Sequence, residues 1–178
     1  MKKVGLFGNP NTGKSSLFNR LTGLKQRVGN FPGVTVDKQS GNLKFGNETV
    51  QIIDFPGTYS IYPRSTDEQV VYKVISNPQH SDYPDVALVV VDASNLERNL
   101  LLFSQIYDLG IPTVLVLNLT DVASKNGLII HVDQLQSHFP NTTIIRSNAR
   151  VGLGMIEIRE VIARLGKLQK PQTTTDPI

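Results

Sequence analysis

The chain contains 178 residues, of which 39% are hydrophobic and 19% are charged, with a formal net charge of +3. This length suits one domain with a sizeable core, and the absence of cysteine excludes a disulfide framework and a thiolate metal site. The lysines and arginines are scattered along the chain, so no basic stripe that would grip nucleic acid stands out. The longest aliphatic run, Val86 to Val91, is far shorter than the roughly 20 residues of a membrane-spanning helix.

Short apolar runs rich in β-branched residues predict six strands, and segments of helical period lie between them. In chain order, the predicted elements are strand 4–7, helix 14–21, strands 43–45 and 50–53, helix 66–75, strand 86–91, helix 95–109, strand 113–117, helix 132–139, strand 143–145 and helix 155–165. The order predicts the α/β class, with a mainly parallel six-stranded sheet, one antiparallel edge strand and helices on both faces.

Turn and cap residues support several of these boundaries. Gly46 and Asn47 tolerate positive φ and predict a hairpin between strands 43–45 and 50–53. Ser65, three residues before Glu68, predicts a capping box, and Asn95 is expected to cap the helix that follows it. We expect one domain over residues 1–166, followed by a linker or disordered tail at 167–178 that is polar and without periodicity.

A phosphate-binding loop is predicted where the first strand meets the first helix. Residues 8–15 match the pattern GxxxxGK[ST] in the strand-loop-helix context that this motif requires. Backbone N–H groups would point at the phosphates, Lys14 would reach the β and γ oxygens, and Ser15 would offer a hydroxyl to Mg²⁺. The alternative is a chance glycine turn with a solvated lysine. The predicted phosphate-binding residues are Gly8, Asn9, Pro10, Asn11, Thr12, Gly13, Lys14, Ser15 and Ser16.

Two further segments are predicted to respond to the γ-phosphate. Asp54 closes a strand and can hold Mg²⁺ through water, and Gly57 can offer its N–H to the γ-phosphate, although D-x-x-G is by itself an ordinary turn. Thr35 can offer a hydroxyl to Mg²⁺ from a loop whose glycines allow reshaping, or it can be purely structural. Switch II is predicted as Asp54, Phe55, Pro56, Gly57 and Thr58, and switch I as Gly29, Asn30, Phe31, Pro32, Gly33, Val34 and Thr35.

Two motifs near the last strands predict recognition of guanine. Asp121 can accept hydrogen bonds from the guanine ring N–H and exocyclic amine, which favours GTP over ATP. Asn118 is expected to brace the loop and touch the base, and the segment 148–150 to donate a backbone N–H to the guanine oxygen, although short stretches like it are common on surfaces. The predicted guanine-binding residues are Asn118, Leu119, Thr120, Asp121, Asn148, Ala149 and Arg150.

Together and in this order, the five motifs resemble those of the small GTPase superfamily, in the branch of Era-related, translation-factor-like GTPases, and imply its Ras-like P-loop NTPase fold. More narrowly, four stretches look like the amino-terminal domain of FeoB-type ferrous iron transporters. They are 8–11, 29–36, 54–60 and 92–100, the last of which reads Asp-Ala-Ser-Asn-Leu-Glu-Arg-Asn-Leu. The resemblance covers residues 2–166.

The resemblance implies the soluble cytosolic GTPase portion of a bacterial inner-membrane protein whose activity gates or energises Fe²⁺ uptake. A helical subdomain and a transmembrane region follow this domain in the family, so the implied partners are GTP or GDP, the remainder of the chain and FeoA-like or FeoC-like small proteins. Contact with the membrane is expected only through the full-length chain, and no nucleic acid is expected. The alternative is a soluble Era-like GTPase of ribosome assembly or RNA modification, and a general P-loop ATPase or kinase is a third reading.

The resemblance also implies a K⁺ ion, held beside the β and γ phosphates by Asn11, where added positive charge would favour the transition state. The alternative role of Asn11 is to shape the turn. Three positions depart from the usual motifs: Leu119 replaces a lysine or methionine, Asn148 replaces a serine and is expected to loosen its loop, and Thr58 replaces the glutamine of Ras-like enzymes. Intrinsic hydrolysis is therefore expected to be slow.

Other polar and apolar clusters are given ordinary roles. His80, His131 and His138 lack companion ligands at a recognisable metal spacing, so we expect them to be solvated surface side chains. The run Leu100 to Phe103 is expected to be core and helix packing, with a membrane-binding face as the alternative.

Overall fold

A computed structural model describes residues 1–167, in which strands and helices alternate. The strands are β1 (Lys2–Gly8), β2 (Gln26–Asn30), β3 (Asp37–Phe45), β4 (Glu48–Asp54), β5 (Val86–Asp92), β6 (Thr113–Asn118) and β7 (Thr143–Arg146). The helices are α1 (Lys14–Thr22), α2 (Thr66–Ile75), α3 (Leu96–Asp108), α4 (Thr120–Lys125), α5 (Val132–His138) and α6 (Met155–Lys167), with a short 3₁₀ turn at Ala93–Asn95 before α3.

The strands form one sheet in the order β2-β3-β4-β1-β5-β6-β7. β3 is antiparallel to both of its neighbours, whereas β4, β1, β5, β6 and β7 are paired in parallel. Gly8 lies opposite Val90, and Asp92 lies opposite Asn118. The carboxyl ends of the central strands therefore meet at one edge of the sheet, where ligands bind in open α/β sheets.

Two apolar layers cover the sheet. Side chains of α1 and α6, such as Phe18 and Ile162, pack against one face, while α2 and α3 pack against the other. β5 contributes to both layers, with Leu88 toward α1 and α6 and Val89 toward α2 and α3. A strand covered on both faces has no polar side, which explains why this strand is continuously apolar in sequence.

The predicted α/β class with helices on both faces is confirmed, but the sheet has seven strands rather than six. The additional strand is β2, whose five residues are all exposed and show no apolar alternation. It overlaps Gly29 and Asn30 of the predicted switch I loop. β3 begins six residues before the predicted Leu43, because its first half pairs with β2 rather than burying apolar side chains.

The observed helix boundaries agree closely with the predicted ones, but the capping hydrogen bonds differ. Ser65 accepts a hydrogen bond from the N–H of Glu68 at 3.2 Å, but the Glu68 carboxylate accepts from the N–H of Arg64 rather than from Ser65. Asn95 is the N-cap residue of α3, as predicted, but its side chain makes no capping hydrogen bond. Asp92 caps the preceding 3₁₀ turn instead, accepting from the N–H of Ser94 at 2.8 Å, because that turn starts the helical segment three residues earlier.

The predicted tail lies outside the described residues except for Lys167, which ends α6. The run 100–103 divides between core and surface, since Leu102 and Phe103 are buried and Leu101 is half exposed. Across residues 1–167, none of the helices combines the length and the apolar character needed to cross a membrane.

Candidate nucleotide-binding site

The loop between β1 and α1 depends on two crowded glycines. A Cβ atom on Gly8 would lie 2.6 Å from the carbonyl oxygen of Val90. Gly13 has φ 82°, and a Cβ atom there would overlap Nδ2 of Asn118. Asn11 also has positive φ, 63°, a conformation that asparagine adopts more readily than most residues. The loop is thus in close contact with β5 beside it and with Asn118 of the first guanine motif.

The remaining side chains of this loop surround a cavity of about 400 Å³. It is lined by Asn9, Pro10, Asn11, Gly13, Lys14, Ser15, Ser16 and Gly57. Thr12 is buried, and its hydroxyl donates to the carbonyl oxygen of Asn9 at 3.1 Å. The amide group of Asn9 is buried and has no hydrogen-bond partner among the described residues. The cavity therefore collects most of the predicted phosphate-binding residues, together with one residue of switch II.

Lys14 forms an ion pair with Asp54 at the junction with a second cavity of about 430 Å³. The two side chains are only 11% and 12% exposed. Burial raises the pKa of the Asp54 carboxyl above its ordinary value of 3.8, and the neighbouring Lys14 ammonium opposes that rise. Thr35 lines the same cavity as Lys14 and Asp54, so the lysine, the switch I threonine and the switch II aspartate share one space.

Switch I carries one buried anchor within an exposed segment. The ring of Phe31 is stacked on Phe55 of switch II at 5.4 Å, and Phe55 is stacked on Phe7 at 4.5 Å. Pro32, Gly33 and Thr35 are exposed, and Val34 packs partly against the core. The aromatic stack connects the two switches, while the residues around it remain open to solvent.

Switch II is tied to the phosphate loop by its backbone. The N–H of Thr58 donates to the carbonyl oxygen of Gly8 at 3.1 Å, and Gly57 lies so close to Pro10 that a Cβ atom would contact it at 3.2 to 3.3 Å. The Thr58 side chain is buried, and its hydroxyl donates to Ser60 O at 2.6 Å. The residue at the usual glutamine position therefore points into the fold.

Helix α3 holds the other end of switch II. Oε1 of Gln105 accepts from the Ser60 hydroxyl and from the N–H of Ile61, each at 3.0 Å, and the Arg98 guanidinium lies 4.3 Å from the ring centre of Tyr59. Sequence reasoning missed Gln105, because a glutamine on an amphipathic helix carries no signal of what it contacts.

Asn118 joins three of the five motifs. It is buried at 1% exposure, its Nδ2 donates to Thr12 O at 2.8 Å, and its Oδ1 accepts from the N–H of Ala149 at 3.0 Å. Leu119 follows with φ 57° and begins α4. A single amide thus connects segments 106 and 31 residues away in sequence.

Asp121 lies in the first turn of α4 with an unsatisfied acceptor. Its Oδ1 is buried, and no described residue donates a hydrogen bond to it. The neighbouring Thr120 is engaged through its hydroxyl with Ser147 O at 3.1 Å. A buried carboxylate oxygen without a donor costs about 1 to 3 kcal/mol or more, so this atom is suited to a ligand that brings N–H donors.

The fifth motif is more tightly bonded than expected. The N–H groups of Asn148, Ala149 and Arg150 donate to Leu153 O, Asn118 Oδ1 and Asn148 Oδ1 respectively. The Asn148 side chain therefore closes the turn instead of loosening it. A guanine oxygen bound here, as predicted, would share one of these N–H donors.

Two other residues of this region were not predicted. Ser147 is fully buried and accepts from Thr120 through its carbonyl, and the Arg20 guanidinium of α1 contacts the carbonyl oxygens of Ala149 and Arg150. The serine directly before Asn148 was a visible signal for the first, whereas nothing in the sequence pairs Arg20 with a loop about 130 residues away.

None of the three histidines lines either of the two cavities. His80 is partly buried, and its Nδ1 accepts from the N–H of Asp82 at 3.0 Å, while His131 and His138 are exposed. Within residues 1–167, no three His, Cys, Asp or Glu side chains are grouped so as to hold a metal ion.

A family model described as ferrous iron transport protein B matches residues 2–162. The Fe(2+) transporter FeoB of Escherichia coli K12 is 45% identical over 139 residues, which are 77% of this chain and 18% of that protein. The FeoB transporter of Leptospira biflexa is 39% identical over 163 residues, 92% of this chain and 23% of that protein. The chain therefore spans about a fifth of the length of these relatives.

Solved structures agree with this result. The cytosolic domain of Legionella (L. pneumophila) FeoB matches with TM-score 0.85 and 37% identity, covering 96% of this chain and 66% of that one. The G domain of T. maritima FeoB matches with TM-score 0.82 and 35% identity, covering 94% and 99%. A GDP-bound S. thermophilus NFeoB mutant matches with TM-score 0.83 and 39% identity, covering 96% and 66%.

Proposed function

This chain belongs to the ferrous iron transport protein B family, and on that premise we propose that it is the domain that binds and hydrolyses GTP to regulate or energise Fe²⁺ uptake by a bacterial membrane transporter. Residues 1–166 form the GTPase domain in this proposal, and the segment from 167 leads toward the helical and transmembrane parts. The GDP-bound state of the S. thermophilus relative supports the choice of nucleotide.

The observation that carries the proposal is the buried, unpaired Oδ1 of Asp121. Guanine offers a ring N–H and an exocyclic amine side by side, and adenine does not present this donor pair. Asp121 accepts both, while Asn118 holds the adjoining loops in place. A ligand without the donor pair leaves the carboxylate unpaired, which is how a buried polar group rejects the wrong substrate.

At the other end of the cleft, the oxygen donors suit Mg²⁺. Ser15 and Thr35 supply hydroxyls and Asp54 a carboxylate, the hard ligands that this ion prefers, and they line two adjoining cavities that share Lys14. When bound, Mg²⁺ neutralises charge that develops on the β and γ oxygens. With nucleotide and ion bound, Lys14 would exchange Asp54 for the phosphates and the Asp54 carboxylate would be available to hold the ion, so that each charge would keep an opposite partner.

Hydrolysis in this proposal is intrinsically slow and stimulated by K⁺. The Thr58 side chain is buried and bonded to Ser60 O, so it does not orient the attacking water. The exposed Asn11 lines the phosphate cavity, and its amide oxygen is a suitable K⁺ ligand there. A positive charge at this point stabilises the transition state in the way an arginine finger does.

The partners follow from the family. The remainder of the transporter chain is the principal one, with FeoA-like or FeoC-like small proteins as further candidates at the cytoplasmic face of the membrane. The alternative of a soluble Era-like GTPase is not favoured, because the family model that spans residues 2–162 is that of the iron transporter.

Isothermal titration calorimetry with GDP and ADP tests the proposal. We expect the chain to bind GDP at least about a hundredfold more tightly than ADP, and Asp121→Asn to lose most of this preference. Asp133→Asn, which removes an exposed acid from the first turn of α5, is the matched control and should leave the preference unchanged. Equal affinity for GDP and ADP in the parent chain would refute the assignment.

A further inference from the structure

Five cationic side chains converge on a cavity of about 580 Å³ at the far end of α1 from the phosphate loop. The cavity lies between the end of α1, the β2–β3 hairpin and α6, and none of the described residues that line it is acidic. We name it the basic groove, and its cations are Arg20, Lys25, Arg27, Lys44 and Arg159. The lysines and arginines that are scattered in sequence are therefore gathered in space.

Most of these cations are exposed and have no ion-pair partner among the described residues. Arg20 is engaged with backbone carbonyls, and Arg159 lies 5.7 Å from the ring centre of Phe45. Lys25, Arg27 and Lys44 are exposed, and none of them forms an ion pair with a described residue. Cations gathered without acidic neighbours repel one another, so their convergence points to an anionic partner.

Two exposed apolar side chains flank these cations. Leu24 is 72% exposed and precedes Lys25, and Val28 is 71% exposed and follows Arg27. Leu24 also has φ 63°, a strained conformation for a leucine that holds the side chain in solvent. Cationic and apolar side chains thus alternate along the exposed edge of the sheet that β2 forms. Segments that lie on a bilayer combine these two kinds of side chain, because the charges meet headgroups and the apolar tips enter the boundary with the acyl chains.

We propose that the basic groove, with Leu24 and Val28, is a docking surface for the anionic lipid headgroups of a membrane. The apolar pair favours lipid over nucleic acid, because single-stranded nucleic acid is bound by aromatic side chains that stack on bases, and none of the described residues that line the groove is aromatic. The proposal rests on the proposed role in a membrane transporter and extends it, since contact with the membrane then belongs to this domain itself and not only to the rest of the chain.

The location gives the contact a consequence for the nucleotide site. Lys25 directly precedes β2 and Arg27 is its second residue, and the same strand ends at Gly29 and Asn30 of switch I. α1 runs from Lys14 to Thr22, so the groove and the phosphate loop lie at opposite ends of a helix about 13 Å long. A lipid surface that holds β2 therefore restrains one end of switch I.

Vesicle sedimentation tests the proposal with the 178-residue chain and no nucleotide. The vesicles are phosphatidylcholine alone or phosphatidylcholine mixed with phosphatidylglycerol, at low and high NaCl. We expect binding only to the mixed vesicles and release by salt, because exposed charges are screened. Lys25→Glu/Lys44→Glu should weaken binding by about a hundredfold, since each basic residue near an anionic surface contributes about a factor of five and its reversal adds repulsion.

The matched control is Lys73→Glu/Lys125→Glu, which makes the same change in net charge at exposed positions on α2 and α4 and should weaken binding by no more than about threefold through the weaker long-range attraction. Leu24→Gly removes the apolar tip and relieves the strained φ, so we expect about fivefold weaker binding without loss of folding stability.

Three results overturn the proposal: unchanged binding by the groove variant, equal weakening by both double variants, or binding of single-stranded RNA through the same lysines without binding of anionic vesicles. Affinity for GDP is measured separately in each variant. Absence of binding to the mixed vesicles by the parent chain, with GDP binding retained, contradicts only the docking surface, whereas failure of the parent chain to bind GDP contradicts the proposed GTPase.

Discussion

At the base end of the cleft, Asn118 is buried and both ends of its amide are hydrogen bonded, whereas at the phosphate end Thr35 is exposed and Lys14 is paired with Asp54. In the proposed function, the base end is built from groups that keep their partners when a nucleotide binds. The phosphate end is then built from groups that exchange theirs. Recognition of guanine can therefore rely on a preformed site, while the response to the γ-phosphate requires the switches to move.

The largest effect is expected where the two ends meet. Gly13→Ala adds a Cβ atom that overlaps Nδ2 of Asn118, at a backbone φ of 82° that also strains alanine. We expect the overlap to disturb both hydrogen bonds of the Asn118 amide. We expect a loss of about 4 kcal/mol in the free energy of unfolding, measured with urea. Gly33→Ala is the matched control, because Gly33 has φ 74° with no atom within 4 Å of an added Cβ, and it should lose only about 1 to 2 kcal/mol. Equal losses of unfolding free energy in the two variants would contradict the distinction between a closely packed base end and an open phosphate end.

At the phosphate end, Asp54→Asn should impair the reaction more than the fold. We expect GTP turnover in Mg²⁺ to fall on the order of a hundredfold, through loss of the carboxylate proposed to hold the ion. Stability at neutral pH should change much less, because burial disfavours the Asp54 charge by more than the Lys14 ammonium favours it.

The same pKa shift gives the sign of the pH dependence. The pKa of Asp54 in the folded chain lies above its ordinary 3.8, so ionisation of this group opposes folding as the pH rises from 3.8 through the folded value. The Asp54→Asn variant lacks this dependence of stability on pH.

Asp67→Asn, at an exposed position that lines the same cavity, is the control for the turnover measurement and should keep turnover within about twofold of the parent chain. A similar loss in both variants would show that Asp54 has no special role.

A smaller effect is expected from the monovalent cation. Turnover of the parent chain should be about tenfold faster in K⁺ than in Na⁺, which corresponds to about 1.4 kcal/mol in the barrier. Asn11→Gly keeps the positive φ of 63° without strain but removes the amide oxygen, so its rates in the two salts should be equal. Retention of the K⁺ response in this variant would assign the ion to other ligands.

The elements that repeat a simple local rule were predictable. β5 and β6 are apolar runs because both faces of the sheet are covered. α1 was predictable because it follows a glycine-rich loop that comes directly after a strand. β2 was missed because its exposed residues have neither alternation nor apolar character, and its pairing with β3 depends on partners 7 to 15 residues away.

The sequence by itself determined the α/β class and the resemblance to FeoB domains, and it yielded the predicted phosphate and guanine motifs, because these depend on residue type, short spacing and order along the chain. Tertiary structure decided which groups meet across distance. It placed Asn118 between Thr12 and Ala149, pointed the Thr58 side chain inward, tied switch II to Gln105, and gathered the basic groove from three separate segments. These contacts are set by how strands and helices pack against one another, and no local spacing encodes them.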